Sequence, residues 1–250
     1  MALARARQLV ARVISPFYRH QTFLWMWSPA EPREVQGTLP EGFSVVRATE
    51  ADLPLLDQLG TNFDRAAEFL AAGHRLWLVH DGDRAIYSAW TFAGRAPTDA
   101  ARTGWIELPE GMLNPEDAHA HPDHRGQGLA ARAGAVSHQH QLREGCTRYV
   151  FTALTTNASS LRAAAKGPAR PFAVVELTKV GLLRSDAGWR NRRGDTRLTF
   201  SRVRITQPEI AGGPTPEDEE VLAWFRSAIR AGVTGPGPAV APASGAVPAT

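Results

Sequence analysis

The chain has 250 residues, 43% hydrophobic and 21% charged, which is enough apolar mass for one globular domain with extensions and a real core. Lys plus Arg number 28 against 25 Asp plus Glu, a net charge of +3 carried by scattered arginines, and no interleaved basic and aromatic cluster marks a nucleic-acid surface. Cys146 is the single cysteine, which excludes an intrachain disulfide and points to a reducing, cytoplasmic setting, while no apolar run nears the roughly 20 residues of a transmembrane segment.

Residues 2–14 place Leu3, Val10 and Ile14 on one helical face and Arg5, Gln8 and Arg12 on another, an amphipathic helix that Arg7 blurs. Such a helix docks on its own domain or makes peripheral contact with a membrane surface or a partner. Arg12 breaks the apolar stretch and no small-residue cleavage site follows, so the segment is not expected to be a secretory signal. Pro16 ends the helix, and Gln21 to Trp27 reads as a strand or an aromatic plug. Residues 1–40 are therefore expected to be an extension preceding a domain over 41–206.

That domain opens with a strand over 42–48, rich in valine, and a helix that Thr49 caps and acidic residues support in its first turn. A second helix over 63–72 ends at Gly73. Strand-like runs over 75–80 and 85–92 flank Asp81-Gly82-Asp83, a hairpin turn. Residues 104–109 make a short strand or a loop wall, and 112–121 a longer strand in which Pro115 argues for a bulge or an edge.

The stretch 116–130, Glu-Asp-Ala-His-Ala-His-Pro-Asp-His-Arg-Gly-Gln-Gly-Leu-Ala, carries most of the chemistry. Gly126 and Gly128 let the backbone approach a ligand closely, and the helix expected over 130–142 begins with N–H groups that have no internal acceptor. Together with the positive end of the helix dipole these suit a phosphate or diphosphate. His119, His121, Asp123 and His124 also spell H-x-H-x-D-H, similar to the metal-binding signature of the metallo-β-lactamase superfamily and compatible with a metal-dependent hydrolase. That site needs further histidines downstream, and none follows His140. The third reading makes these histidines strand-end and loop residues without a ligand.

Past the helix come a buried strand over 148–154, a short helix over 157–167 that Asn157 caps, and strands over 174–183 and 196–205. A C-terminal helix occupies 217–231 within a segment bounded at 207–233, and 234–250 is a Pro/Ala/Gly tail with too little apolar bulk to fold.

Arg125-Gly126-Gln127-Gly128-Leu129-Ala130 resembles the R/Q-x-x-G-x-G/A turn of the GNAT superfamily of N-acetyltransferases, and Asn157, Ser160 and Lys166-Gly167 resemble its N-x-x-[AS] helix and the segment after it. The resemblance covers about 42–205. It implies an α+β fold with a mixed central sheet whose splayed parallel strands receive the pantetheine arm of acetyl-CoA or another acyl-CoA. The amides of residues 125–130 would grip the diphosphate, the backbone of His119, Ala120 and His121 would bind the arm as an added strand does, and Asn157 and Ser160 would complete the cofactor site.

The activity implied is transfer of an acyl group from the thioester to a primary amine of a small molecule. Among Glu116, Asp117 and His119 as base, strand alternation puts Asp117 and His119 on one face, and these two are the catalytic candidates. The tyrosine that many members place seven residues after the asparagine is Ala164 here, with Tyr149 and Tyr87 the nearest substitutes. A non-catalytic acyl-CoA-binding module and an acyl-carrier-protein-dependent N-acyl amino acid synthase are the alternatives. A homodimer is compatible with all of them.

Overall fold

A computed structural model of the protein describes residues 18–32, 39–59, 65–101, 103–181 and 200–232, with only the backbone of Phe200 and Ser201. The helix expected over 2–14 and the tail over 234–250 lie outside the described residues. In chain order the first elements are β1 (Tyr18–Pro29), β2 (Phe43–Arg47), a 3-10 helix (Glu50–Leu59), α1 (Ala66–Ala71), β3 (Arg75–Asp81) and β4 (Arg84–Ala93). They are followed by β5 (Arg95–Pro97), β6 (Trp105–Glu107), β7 (Met112–Ala120), α2 (Leu129–Arg143) and β8 (Arg148–Leu154). Last come α3 (Ala158–Ala164), β9 (Arg170–Val180), β10 (Phe200–Thr206) and α4 (Pro216–Ala231). The architecture is mixed α+β, and the described residues fall into two compact units.

The unit made from residues within 28–97 and 107–151 holds strands in the order β2-β3-β4-β7-β8, antiparallel except for the parallel pair β7–β8. Gly82, at φ 57, makes the turn between β3 and β4 that the Asp-Gly signal anticipates. Leu76, Leu78 and Val79 on β3 and Ile86, Trp90 and Phe92 on β4 are fully buried, and adjacent buried residues mean that both faces are covered. Phe69 of α1 meets the rings of Trp90 and Phe92 edge-on, with centroids 5.4 and 5.5 Å away. Each large side chain so buried stabilises the fold by about 1.5–3 kcal/mol. Leu129 and Ala133 of α2 pack with Val79, Ile86 and Tyr87 in a second cluster.

The segment after Thr49 is a 3-10 helix where the sequence suggests an α-helix. The Thr49 hydroxyl does not accept from the helix as a cap would: its N–H and hydroxyl both donate to Asp52 Oδ2 at 2.7 and 2.9 Å, and Pro54 sits inside and lacks the N–H an α-helical turn needs.

The other unit draws on residues within 18–27, 98–106 and 152–232. Here β9 pairs antiparallel with both β1 and β10. Phe225 of α4 packs on Trp25 and Phe172, with ring centroids 4.4 and 5.5 Å away. The helix is anchored at its start by Asp218, whose side chain is fully buried. Oδ1 accepts from Trp27 Nε1 at 2.7 Å and Arg170 Nε at 3.0 Å, while Oδ2 accepts from Arg170 Nη2 at 2.6 Å and from the Thr215 N–H and hydroxyl. Hydrogen bonds from Arg170 hold the Asp218 carboxyl well below the usual carboxylate range against the opposing effect of burial.

Candidate functional site

Beyond Ala120 the chain turns through a 3-10 step, Pro122–His124, and enters α2 by way of Arg125, Gly126, Gln127 and Gly128. Both glycines are left-handed, at φ 77 and 73, a backbone that branched side chains resist, and a β-carbon on either would meet nothing within 4 Å. The turn therefore faces open space. Gly128 is the N-cap residue of α2 and offers no side-chain cap, and the first helical turn contains no acidic residue. The opening N–H groups of a helix have no acceptor inside it, so here they present bare donors. What fixes the turn is its flanks: Leu129 is buried at 2% exposure, Gln127 Nε2 donates to Asp123 O at 3.2 Å, and Arg125 Nε donates to Ala120 O at 3.3 Å. Ala130, on the first turn of α2, is exposed.

The strand that feeds the turn is bulged. Trp90 lies opposite Glu116 and Ser88 opposite His119, so Asp117 and Ala118 together face Ala89. The kink has a clear local cause: Asp117, at φ 58, is the only non-glycine with positive φ among the described residues. Simple alternation does not run through this stretch, yet the two catalytic candidates still meet. His119 Nε2 lies 2.8 Å from Asp117 Oδ1, with the Asp117 side chain 2% exposed and that of His119 31%. Burial, and then the guanidinium of Arg125, push the imidazole below its ordinary range. His119 is thus a half-buried imidazole in hydrogen-bond contact with a buried carboxylate.

Strands β7 and β8 pair at Met112 with Arg148 and Leu113 with Tyr149, and no further, although both strands continue. At the point of parting the side-chain amide of Asn114 donates to Val150 O at 2.8 Å. Asn114 belongs to no motif in the sequence. Its signal was a polar residue directly after Met112-Leu113 and directly before Pro115.

Asn157 and Ser160 belong to the other unit and bond to each other, with Asn157 Oδ1 accepting from Ser160 N at 3.1 Å, so the expected N-cap of α3 is present. Of the two tyrosine substitutes, Tyr149 has its hydroxyl engaged and Tyr87 is buried. Tyr149 is buried, donates to Gln141 Oε1 at 2.7 Å and lies 2.7 Å from His138 Nδ1, and burial pushes the Tyr87 phenol up to about 12. Cys146 is buried, its thiol 3.6 Å from Arg148 O and raised in pKa by that burial, as a small interior residue would be.

The H-x-H-x-D-H residues do not converge on one point. His119 turns to Asp117, whereas His121 Nε2 accepts from Arg84 Nη2 at 2.7 Å, a cation donating into the lone pair that a metal would need. The rings of His121 and His124 stand edge to face, 5.9 Å apart. Among the described residues no group of three or more His, Cys, Asp or Glu side chains is arranged to hold a metal ion.

No family model and no curated protein matches the chain. Solved structures do. A GCN5-related N-acetyltransferase from Kribbella flavida is similar at 16% identity and a TM-score of 0.46, over 71% of this chain and 64% of its own. A protein assigned to the GNAT-family acetyltransferases of Novosphingobium aromaticivorans is similar at 19% identity and 0.45, over 65% and 66%. A GCN5-related N-acetyltransferase-like protein from Streptococcus suis stands at 16% and 0.45, over 69% and 66%. In each case the chain spans just under two thirds of the other structure's length.

Proposed function

We propose that this protein is an acyl-CoA-dependent N-acyltransferase, most simply an acetyltransferase, acting in the cytoplasm on a primary amine of a small molecule. The observation that carries the reading is the open, left-handed turn at Gly126 and Gly128 beside a strand pair that parts after Leu113 and Tyr149. Residues Arg125, Gly126, Gln127, Gly128, Leu129 and Ala130 would hold the diphosphate by main-chain N–H groups, and the backbone of His119, Ala120 and His121 would hold the arm. Asn157 and Ser160 belong to the proposed cofactor set by their resemblance to the family helix.

Bound acyl-CoA supplies a thioester, whose acyl carbon is open to attack by an amine. His119 takes the proton that the incoming ammonium must lose, and Asp117 orients the imidazole for it. The bulge takes one residue of β7 out of the ladder, and an N–H released in this way beside His119 is the donor for the negative charge that develops on the acyl oxygen. A thiolate is a good leaving group and water suffices to protonate it. The engaged state of Tyr149 and the alanine at 164 support a second reading, an acyl-CoA-binding module without turnover. A third places an acyl carrier protein in the donor role.

Incubation with acetyl-CoA and a panel of amines, read by free-thiol release and intact mass of the amine product, separates these. Amine-dependent thiol release supports the enzyme; CoA binding by calorimetry without release supports the module; absence of CoA binding sinks both. His119→Gln is expected to cut kcat by a factor of about 10²–10⁴. Because the folded protein lowers the His119 pKa, the acid limb of kcat/KM falls below pH 6.5, and Arg125→Ala moves that limb upward by removing a repelling cation.

A further inference from the structure

Asn114 is 1% exposed and follows the buried Met112 and Leu113 on β7. Continuing the register of the β7–β8 pair by one step would set it opposite Val150. The main-chain pairing stops at that step, and the side chain takes over: Nδ2 donates to Val150 O at 2.8 Å. A carbonyl oxygen only accepts, so the amide has one orientation, with its own Oδ1 turned away. That Oδ1 is buried and has no hydrogen-bond partner among the described residues.

An apolar residue of similar size would remove the unpaired Oδ1 but would also take this donor from Val150 O. A side-chain amide, however, reaches beyond the backbone, and so it can join strands that have already moved past the ladder spacing of about 4.8 Å. We propose that Asn114 is a positioning residue that sets the width of the gap between β7 and β8 and, through it, the fit of the thioester arm. The link to the arm rests on the acyltransferase reading above; the control of strand spacing does not.

Asn114→Leu tests both parts. A crystal structure of the variant is expected to show main-chain pairing extended to residues 114 and 150, and pairing that still stops at Leu113 and Tyr149 overturns the inference whatever ligands do. Calorimetry is expected to show CoA binding weakened about tenfold, with ADP, which has the diphosphate and lacks the arm, bound as by the unaltered protein. Equal loss for both ligands, or for neither, overturns the link to the arm. Should the unaltered protein bind neither ligand, the acyltransferase reading falls while strand pairing still decides the spacing. If the leucine variant does not fold, Asn114→Ser removes the same bond with less bulk and gives the same readings.

Discussion

Two helix starts in this protein treat the same backbone problem in opposite ways. At α4 the free N–H groups are met from within: Thr215 and Asp218 form a reciprocal capping box, Pro216 takes the first turn, and Glu217, Asp218 and Glu219 put negative charge against the dipole. At α2 the cap is Gly128, with no side-chain bond and no acidic residue in the first turn. The first start is closed, with Asp218 buried beneath it; the second is bare and faces open space. A helix end built only for stability resembles α4, and the uncapped start of α2 is where the diphosphate is proposed to sit.

Breaking the closed end has the largest expected effect. Asp218→Ala strips partners from Trp27, Arg170 and Thr215 at once, and a loss on the order of 3–5 kcal/mol by chemical denaturation is expected, with CoA binding retained wherever the chain still folds. The same carboxylate sets an acid limit. Its folded pKa is depressed, so its contribution is fully present above the unfolded value of about 4 and drains away as pH falls toward the folded value. In Asp218→Asn, stability should vary less with pH below that point.

Closing the bare end sharpens the contrast. Gly128→Asp gives α2 the anion that α4 already has, and aspartate tolerates a left-handed backbone better than most residues. CoA affinity is expected to fall by about tenfold or more, near 1.4 kcal/mol, with stability changed by less than about 1 kcal/mol. An unchanged Kd would mean that the turn does not hold the diphosphate. The smallest effect belongs to Thr215→Ala, which removes one half of a cap for a loss of about 1 kcal/mol of stability by chemical denaturation and none in CoA affinity.

The contrast also explains what the amino-acid sequence could reveal. The bare turn was legible because all of it lies within six consecutive residues, and glycine in such a pattern has few other uses. Helix α4 was legible from its own periodicity, but its anchor was not, since Asp218 pairs with Trp27 and Arg170 from far along the chain. Pro115 signalled an irregular strand, yet the bulge falls at Asp117, because the break is set where the backbone turns left-handed and not where an N–H is missing. Pro54 lies inside the segment where the sequence suggests a helix, and its missing donor shows as a tighter 3-10 path. Asn114 was not legible in the sequence because its meaning depends on Val150, 36 residues on, and on the register that brings them together.

The bond between Trp27 and Asp218 joins residues 191 positions apart. On the ribosome, the strand that contains Trp27 emerges long before the helix that completes its surroundings, whereas residues 28–97 and 107–151 are all made in between. The unit they form can consolidate first, and the unit around β1 must wait for nearly the whole chain, a late closure of high contact order. Synthesis that stalls before residue 218 would leave the Trp25 and Trp27 side chains without Phe225 and Asp218 to cover them, a ready target for chaperones and proteases.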